Sequence, residues 1–293
     1  MKFYEYQTDH SLCKKILNYS LPVDQFYKES LKNIKPNQVD PFSPAKLDIE
    51  YNWILDKKPY YNIYPSIIPH LLKINLNKVE VDQINLPLPY LLMRFPEKND
   101  INFNFKDKKY YLRSLLVADN YYFRVDSNQM VFFIDFGEYD EFGWSVKTFK
   151  NLKKKSGLNV FEGLNALKAH ESFDIGVVCP QDFIENCAKL ICTICLMTGD
   201  SDIISPEVLS CDQEKFEKTK DAKYIDKSIR RGKYGWSVGK NLQISPHFRS
   251  HCPAALYWTG PKKTVPKIRF RKGCIVHKKT VTSIPSGFLG ENE

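Results

Sequence analysis

Three of the six histidines, His247, His251 and His277, fall close together near the C-terminal end, with Arg249 between the first two. Histidine titrates near neutral pH and is the usual biological acid or base. A metal-free ribonuclease needs groups that move protons at the 2′-hydroxyl and at the leaving oxygen. It also needs a cation to hold the charge of the developing phosphorane. His247, His251 or His277, with Arg249, Arg269 or Lys263, satisfy that list chemically. In an extended segment His247, Arg249 and His251 would share one face, because the side-chain period of a strand is two. The same geometry suits phosphate contacts or hydrogen-bonded structural histidines, and that plainer role is preferred.

Other constellations carry less. His247, His251, Cys252, Cys274 and His277 offer His-x3-His and Cys-x2-His pairs, nitrogen and sulfur ligands that zinc accepts in a tetrahedron. Pro246 and Pro253 bracket the first pair and the ligand order of a zinc finger is missing, so no metal site is assigned. Cys192-Thr193-Ile194-Cys195 has redox spacing but lies inside an apolar run, where the cysteines read as structural. Asp135, Glu138, Asp140 and Glu141 follow a strand and could hold a divalent cation. An acidic turn in solvent is the better reading. The sequence has no phosphate-loop motif, no Gly-x-Ser-x-Gly elbow and no Rossmann glycine fingerprint, so no cofactor is expected.

The charge is distributed unevenly. The 293-residue chain carries a formal charge of +9, yet Lys227 to Gly290 holds 14 Lys and Arg residues and no Asp or Glu. The remainder is mildly acidic. A carboxylate in that window would repel phosphates, so its exclusion suits a surface that tracks a polyanion. Arg230, Arg231, Lys240, Arg249, Lys262, Lys263, Lys267, Arg269, Arg271 and Lys272 are the candidate phosphate contacts. Aromatics interleave with them, and Trp258 is the candidate for stacking on a base.

The elements that must position these residues divide the chain into three. Residues 1–198 read as an α+β body with an antiparallel sheet and a buried helix, 199–226 as a linker, and 227–293 as a small basic β-rich module. Prolines from Pro22 to Pro89 break the first hundred residues into short helices and loops, one of them at 66–72 with Pro69 in its first turn. Residues 84–92 read as an extended or turn segment. Strands are expected over 110–117, 121–125 and 130–136, the last two forming a hairpin about Asp126-Ser127-Asn128-Gln129. The nearly continuous apolar run 183–197 is the pattern of a buried helix, with Gly199 as its cap. Beyond Gly232, short β-like runs separated by Gly and Pro suggest a small sheet or barrel.

No stretch reaches the roughly 18 apolar residues of a membrane-spanning helix, and the N-terminus shows no signal-peptide pattern. Eight cysteines are too sparse for a disulfide framework. The chain therefore reads as cytoplasmic, with free thiols and no membrane partner.

The strings Gly235-Trp236-Ser237-Val238-Gly239-Lys240, Ser245-Pro246-His247-Phe248-Arg249-Ser250-His251, Tyr257-Trp258-Thr259-Gly260 and Ile275-Val276-His277 carry a resemblance. They resemble a recurrent ending of uncharacterised bacterial, phage and plasmid proteins that close with an Arg/His-rich stretch, a Trp-x-Gly step and a final apolar strand. The likeness covers roughly the last 60 residues. It implies a mobile-element or defence setting and no particular reaction. Taken together, the sequence points to a nucleic-acid-binding protein, with RNA or single strands favoured because aromatics accompany the charge. The alternatives are a toxin-like endoribonuclease using the His/Arg cluster, and an interaction protein whose basic module docks on an acidic partner.

Overall fold

The computed structural model describes residues 1–6, 43–119, 129–138, 146–153, 179–197, 203–207, 210–230, 234–240, 242 and 254–270. In chain order these hold helix α1 (Ser43–Leu55), strand β1 (Tyr60–Ile63), helix α2 (Ile68–Leu72) and strands β2 (Tyr90–Arg94), β3 (Asn102–Phe105), β4 (Lys108–Ala118), β5 (Gln129–Glu138) and β6 (Val146–Lys153). Helix α3 (Gln181–Leu196), strand β7 (Ile204–Pro206), helices α4 (Ser210–Thr219) and α5 (Lys223–Arg230), and strands β8 (Gly235–Val238), β9 (Ala254–Thr259) and β10 (Val265–Phe270) follow.

The fold is α+β, with a mostly antiparallel sheet and few helices. One sheet runs in the order β6-β5-β4-β2-β1-β8-β7, with β3 also paired to β4. Only β1 is flanked by parallel neighbours, β2 and β8. Alternate residues of the strands feed two apolar clusters, as a two-residue period requires. On one face Tyr61, Ile63, Leu91, Met93, Leu115, Val117, Phe132, Ile134 and Val238 pack with the buried side of α3. On the other, Leu92, Leu116, Ala118, Val131 and Phe133 pack with Ile49 and Trp53 of α1. Trp53 also donates its indole N–H to the Pro59 carbonyl at 2.8 Å, which ties α1 to the start of β1.

The apolar run at 183–197 does form the buried helix α3. Its Cys187, Cys192 and Cys195 are buried thiols, and burial raises the Cys187 thiol well above its ordinary range. The short helix at 66–72 is present as α2, with Pro69 in its first turn. Strands over 110–117 and 130–136 are present as β4 and β5, which pair with each other through a bulge near Arg113. The expected strand at 121–125 and the Gly199 cap lie outside the described residues.

Three expectations change. The first hundred residues supply β1 and β2, two inner strands of the sheet, where short helices and loops were expected apart from an extended or turn segment at 84–92. Both strands are short, and inner strands are buried on two faces, so they lack polar–apolar alternation. The segment read as a linker holds β7, α4 and the first half of α5. Helix α4 is polar apart from Cys211 and Phe216, so it lacks an apolar stripe to announce it. Finally, β8, placed by composition in the basic module, is hydrogen-bonded into the body's sheet between β1 and β7.

Among the described residues no helix is long and apolar enough to cross a membrane.

Candidate functional site

The basic residues that the structure describes collect on one hairpin. Strands β9 and β10 pair antiparallel, with Lys267 opposite Tyr257, Ile268 opposite Leu256 and Arg269 opposite Ala255. The turn between them uses Gly260 at φ +86°, a conformation glycine adopts without strain, and Lys263 at φ +52°. The Lys263 amide donates to the Gly260 carbonyl at 3.0 Å, closing the turn. Period-two geometry then separates two faces. Ile268 is buried in the large cluster and Leu256 packs against it, so this face is docked on the body. Gln83 adds a bond from its side chain to the Thr264 carbonyl at 3.1 Å.

The opposite face looks outward. Lys267 and Arg269 are exposed there beside half-buried Tyr257, and Lys262 and Lys263 are exposed at the turn. Val265, on the same outward face, is 49% exposed. The hairpin thus holds four cations on a fixed backbone with an aromatic ring among them. Trp258 lies across from Pro266 and shares the docked face with Leu256 and Ile268. The ring standing with Lys267 and Arg269 is therefore Tyr257.

The other candidates are dispersed or lie outside the description. Lys240 is exposed in the turn after β8, and Arg230 is the last residue of α5. His247, Arg249, His251, His277, Arg231, Arg271 and Lys272 lie outside the described residues, as do Cys252 and Cys274. Of the acidic set, Asp135 is fully buried and accepts from the Ser114 hydroxyl at 3.3 Å, so it is no solvent turn residue. Glu138 receives Lys108 at 2.7 Å at the end of β5. Asp140 and Glu141 are not among the described residues.

A second constellation has no counterpart in the sequence reading. On the α1 face one level of the sheet is polar from β7 to β5. Ser205, Ser237, Asn62, Arg94, Ser114 and Asp135 stand opposite one another on successive strands. At its β7–β8–β1–β2 end these residues and their neighbours form a hydrogen-bonded cluster. Glu207, just past β7, accepts from the Tyr60 hydroxyl at 2.8 Å, from the Ser237 hydroxyl at 3.1 Å and from the Asn62 amide. Arg94 donates its Nε to Asn62 Oδ1 at 2.9 Å, and its guanidinium carbon sits 3.9 Å from the centre of the Tyr60 ring.

Asn62 and Ser237 are buried, while Tyr60, Arg94 and Glu207 are half-buried. Burial, then the Glu207 carboxylate, push the Tyr60 hydroxyl far above its ordinary range, so it stays protonated and donating. The ring leans over Gly235, where an added Cβ would meet its Cζ at 2.2 Å. Tyr60, Asn62, Arg94, Glu207 and Ser237 form no sequence motif. The one local signal was a polar residue in the middle of each short apolar strand, Asn62 in β1 and Ser237 in β8.

No protein-family model matches the chain, and no curated protein sequence matches it. Among solved structures, the fold resembles that of AcrVA2. The superposition has a TM-score of 0.50 at 14% identity and covers 89% of this chain and 90% of AcrVA2. At that identity the likeness is one of fold.

Proposed function

We propose that this chain is a nucleic-acid-binding protein of mobile-element or defence type that grips phosphates through the basic residues of its C-terminal quarter. The observation that carries the reading is the outward face of the β9–β10 hairpin. Lys267 and Arg269 project from a ribbon whose other face is anchored by Ile268, and Lys262 and Lys263 extend the charge around the turn. A pre-ordered row of cations loses little freedom on meeting a phosphate backbone, and no carboxylate between Lys227 and Gly290 opposes it. Tyr257 beside Lys267 favours single strands, whose bases stack on aromatic rings. The likeness to AcrVA2, by its name an anti-CRISPR protein, supports the mobile-element setting.

The test is a gel of end-labelled single-stranded RNA with the full chain, with and without a chelator. An intact, shifted band that weakens with salt is expected. Shortened products would instead favour cleavage by the His247, Arg249, His251 and His277 group. Free and intact RNA would direct attention to DNA or to an acidic protein partner, and failure to bind DNA as well would overturn the reading.

A further inference from the structure

The α3 side of the sheet, on which the basic hairpin docks, carries a second group of aromatic and basic residues where β1 and β8 begin. Trp236 stands opposite Tyr61 on the neighbouring strand and shares its face. Its ring meets Tyr61 at 5.6 Å and Tyr234 at 6.2 Å, both edge to face. The Lys57 ammonium lies over the Tyr234 ring, 5.4 Å from its centre. Tyr234 and Trp236 are half-buried, and Lys57 and Lys58 are exposed.

Two features go beyond packing. The first is unused polar capacity. Trp53 donates its indole N–H to the Pro59 carbonyl, but the Trp236 indole N–H and the Tyr234 hydroxyl have no hydrogen-bond partner among the described residues. Neither tip is sealed from solvent. Aromatic rings with a packed body and a wet polar tip are enriched at binding surfaces. The second feature is where the lysines stand. At the end of α1 the Lys57 amide donates to the Ile54 carbonyl at 3.1 Å and the Lys58 amide to the Trp53 carbonyl at 2.9 Å, the Schellman pattern. Lys57 and Lys58 have φ of +66° and +55°, where glycine would sit without strain. A lysine can complement the helix dipole from anywhere in the last turn, without left-handed backbone. What Lys57 adds at this position is a cation fixed over the Tyr234 ring. Asp56 precedes the two lysines and leaves the turn net positive.

Topology brings the hairpin to the same end of the sheet. Strand β2 runs parallel to β1, and its start lies against the end of β4. There the Asp119 carboxylate accepts from the Leu86 amide at 3.0 Å. Gln83, close before Leu86 in the chain, holds the Thr264 carbonyl next to the hairpin turn. The cations of that turn, Lys262 and Lys263, therefore share one side and one end of the sheet with Lys57, Tyr234 and Trp236. A single strand lying on the hairpin has this corner in its path.

We infer that the corner made by the Tyr234 and Trp236 rings seats a base of the single-stranded nucleic acid held by the hairpin, with Lys57 taking the adjoining phosphate. This rests on the nucleic-acid reading above and adds to it a base contact outside the hairpin. Stacking on an aromatic ring is open to every base, so the corner selects unpaired strands rather than a sequence.

The experiment follows the indole N–H signals of the full-length, isotope-labelled chain, which has four tryptophans, with Trp236 assigned through Trp236→Phe. The chain is titrated with a short single-stranded RNA of mixed sequence, and separately with polyphosphate and polyglutamate, polyanions that carry no bases. The Trp236 signal is expected to move saturably with RNA and to stay in place with the other two. In parallel, Lys57→Gly relieves the left-handed backbone, so it is expected to melt no lower than wild type. It should nevertheless bind the RNA about fivefold more weakly, with a salt slope shallower by about 1. A Trp236 signal that RNA leaves unmoved while the RNA binds sinks the inference and leaves the wider reading standing, as does Lys57→Gly binding like wild type. Polyglutamate moving the signal as RNA does would assign the corner to an acidic protein and also overturn the inference. A wild-type chain that binds neither RNA nor DNA sinks the wider reading and the inference with it.

Discussion

Tyr60 and Tyr61 show how one pair of adjacent residues serves two faces of a sheet. Tyr61 enters the large apolar cluster and meets the Trp236 ring at 5.6 Å, while Tyr60 turns to the polar side and donates to Glu207. Burial pushes the Tyr61 hydroxyl up to about 12 from its ordinary 10.0, with Cys195 adding to the shift. An unfolded chain ionises this group near 10 and the folded one does so near 12. Its contribution to stability is therefore complete below pH 10 and is lost as pH rises from 10 to 12. The loss is about 3 kcal/mol. Tyr60 is shifted in the same direction and adds to it. Urea melts between pH 9 and about 12 should show the fall, and Tyr61→Phe should flatten it. At Gly235 the prediction is steric. The Tyr60 ring held by Glu207 and Arg94 leaves no room for a Cβ, so Gly235→Ala should destabilise by about 1–3 kcal/mol in the same melts. Tyr60→Phe should cost about 1 kcal/mol, the net worth of one hydrogen bond.

Element by element, legibility followed the range of the signal. Helix α3 was readable because an apolar run of helical length has few other homes. Strands β4 and β5 were readable because each is long and carries an apolar run, which in β5 is rich in β-branched and aromatic residues. Strands β1 and β8 were not readable as a pair. Each is four residues long, and what makes them strands is each other, across more than half of the chain. The basic hairpin was found by its charge, but its docking was not, because Ile268 burying itself against the body is a tertiary fact with no local mark. Two predictions belong at this scale. Ile268→Ala should cost about 2–5 kcal/mol, the range for emptying a buried aliphatic site, and should loosen the hairpin in hydrogen exchange. A chain cut after residue 198 should fail to fold, since it lacks β8, the inner strand that covers one side of β1. A cooperative thermal transition in that fragment would contradict this.

Over the whole molecule, a mildly acidic body presents a strongly basic quarter, and the described part of that quarter is bound to the body rather than hung from it. Strand β8 is woven into the sheet and β10 is pinned by Ile268. Cations on a fixed ribbon give binding that depends steeply on salt, because each neutralised phosphate releases counterions. The most direct test of the account is the affinity of the full chain for single-stranded RNA over a series of salt concentrations, for wild type and for Lys267→Ala with Arg269→Ala. The account predicts linear log–log plots, with the double variant binding more weakly and its slope shallower by about 1–2. A wild-type affinity indifferent to salt, or a slope that the double substitution leaves unchanged, would contradict it.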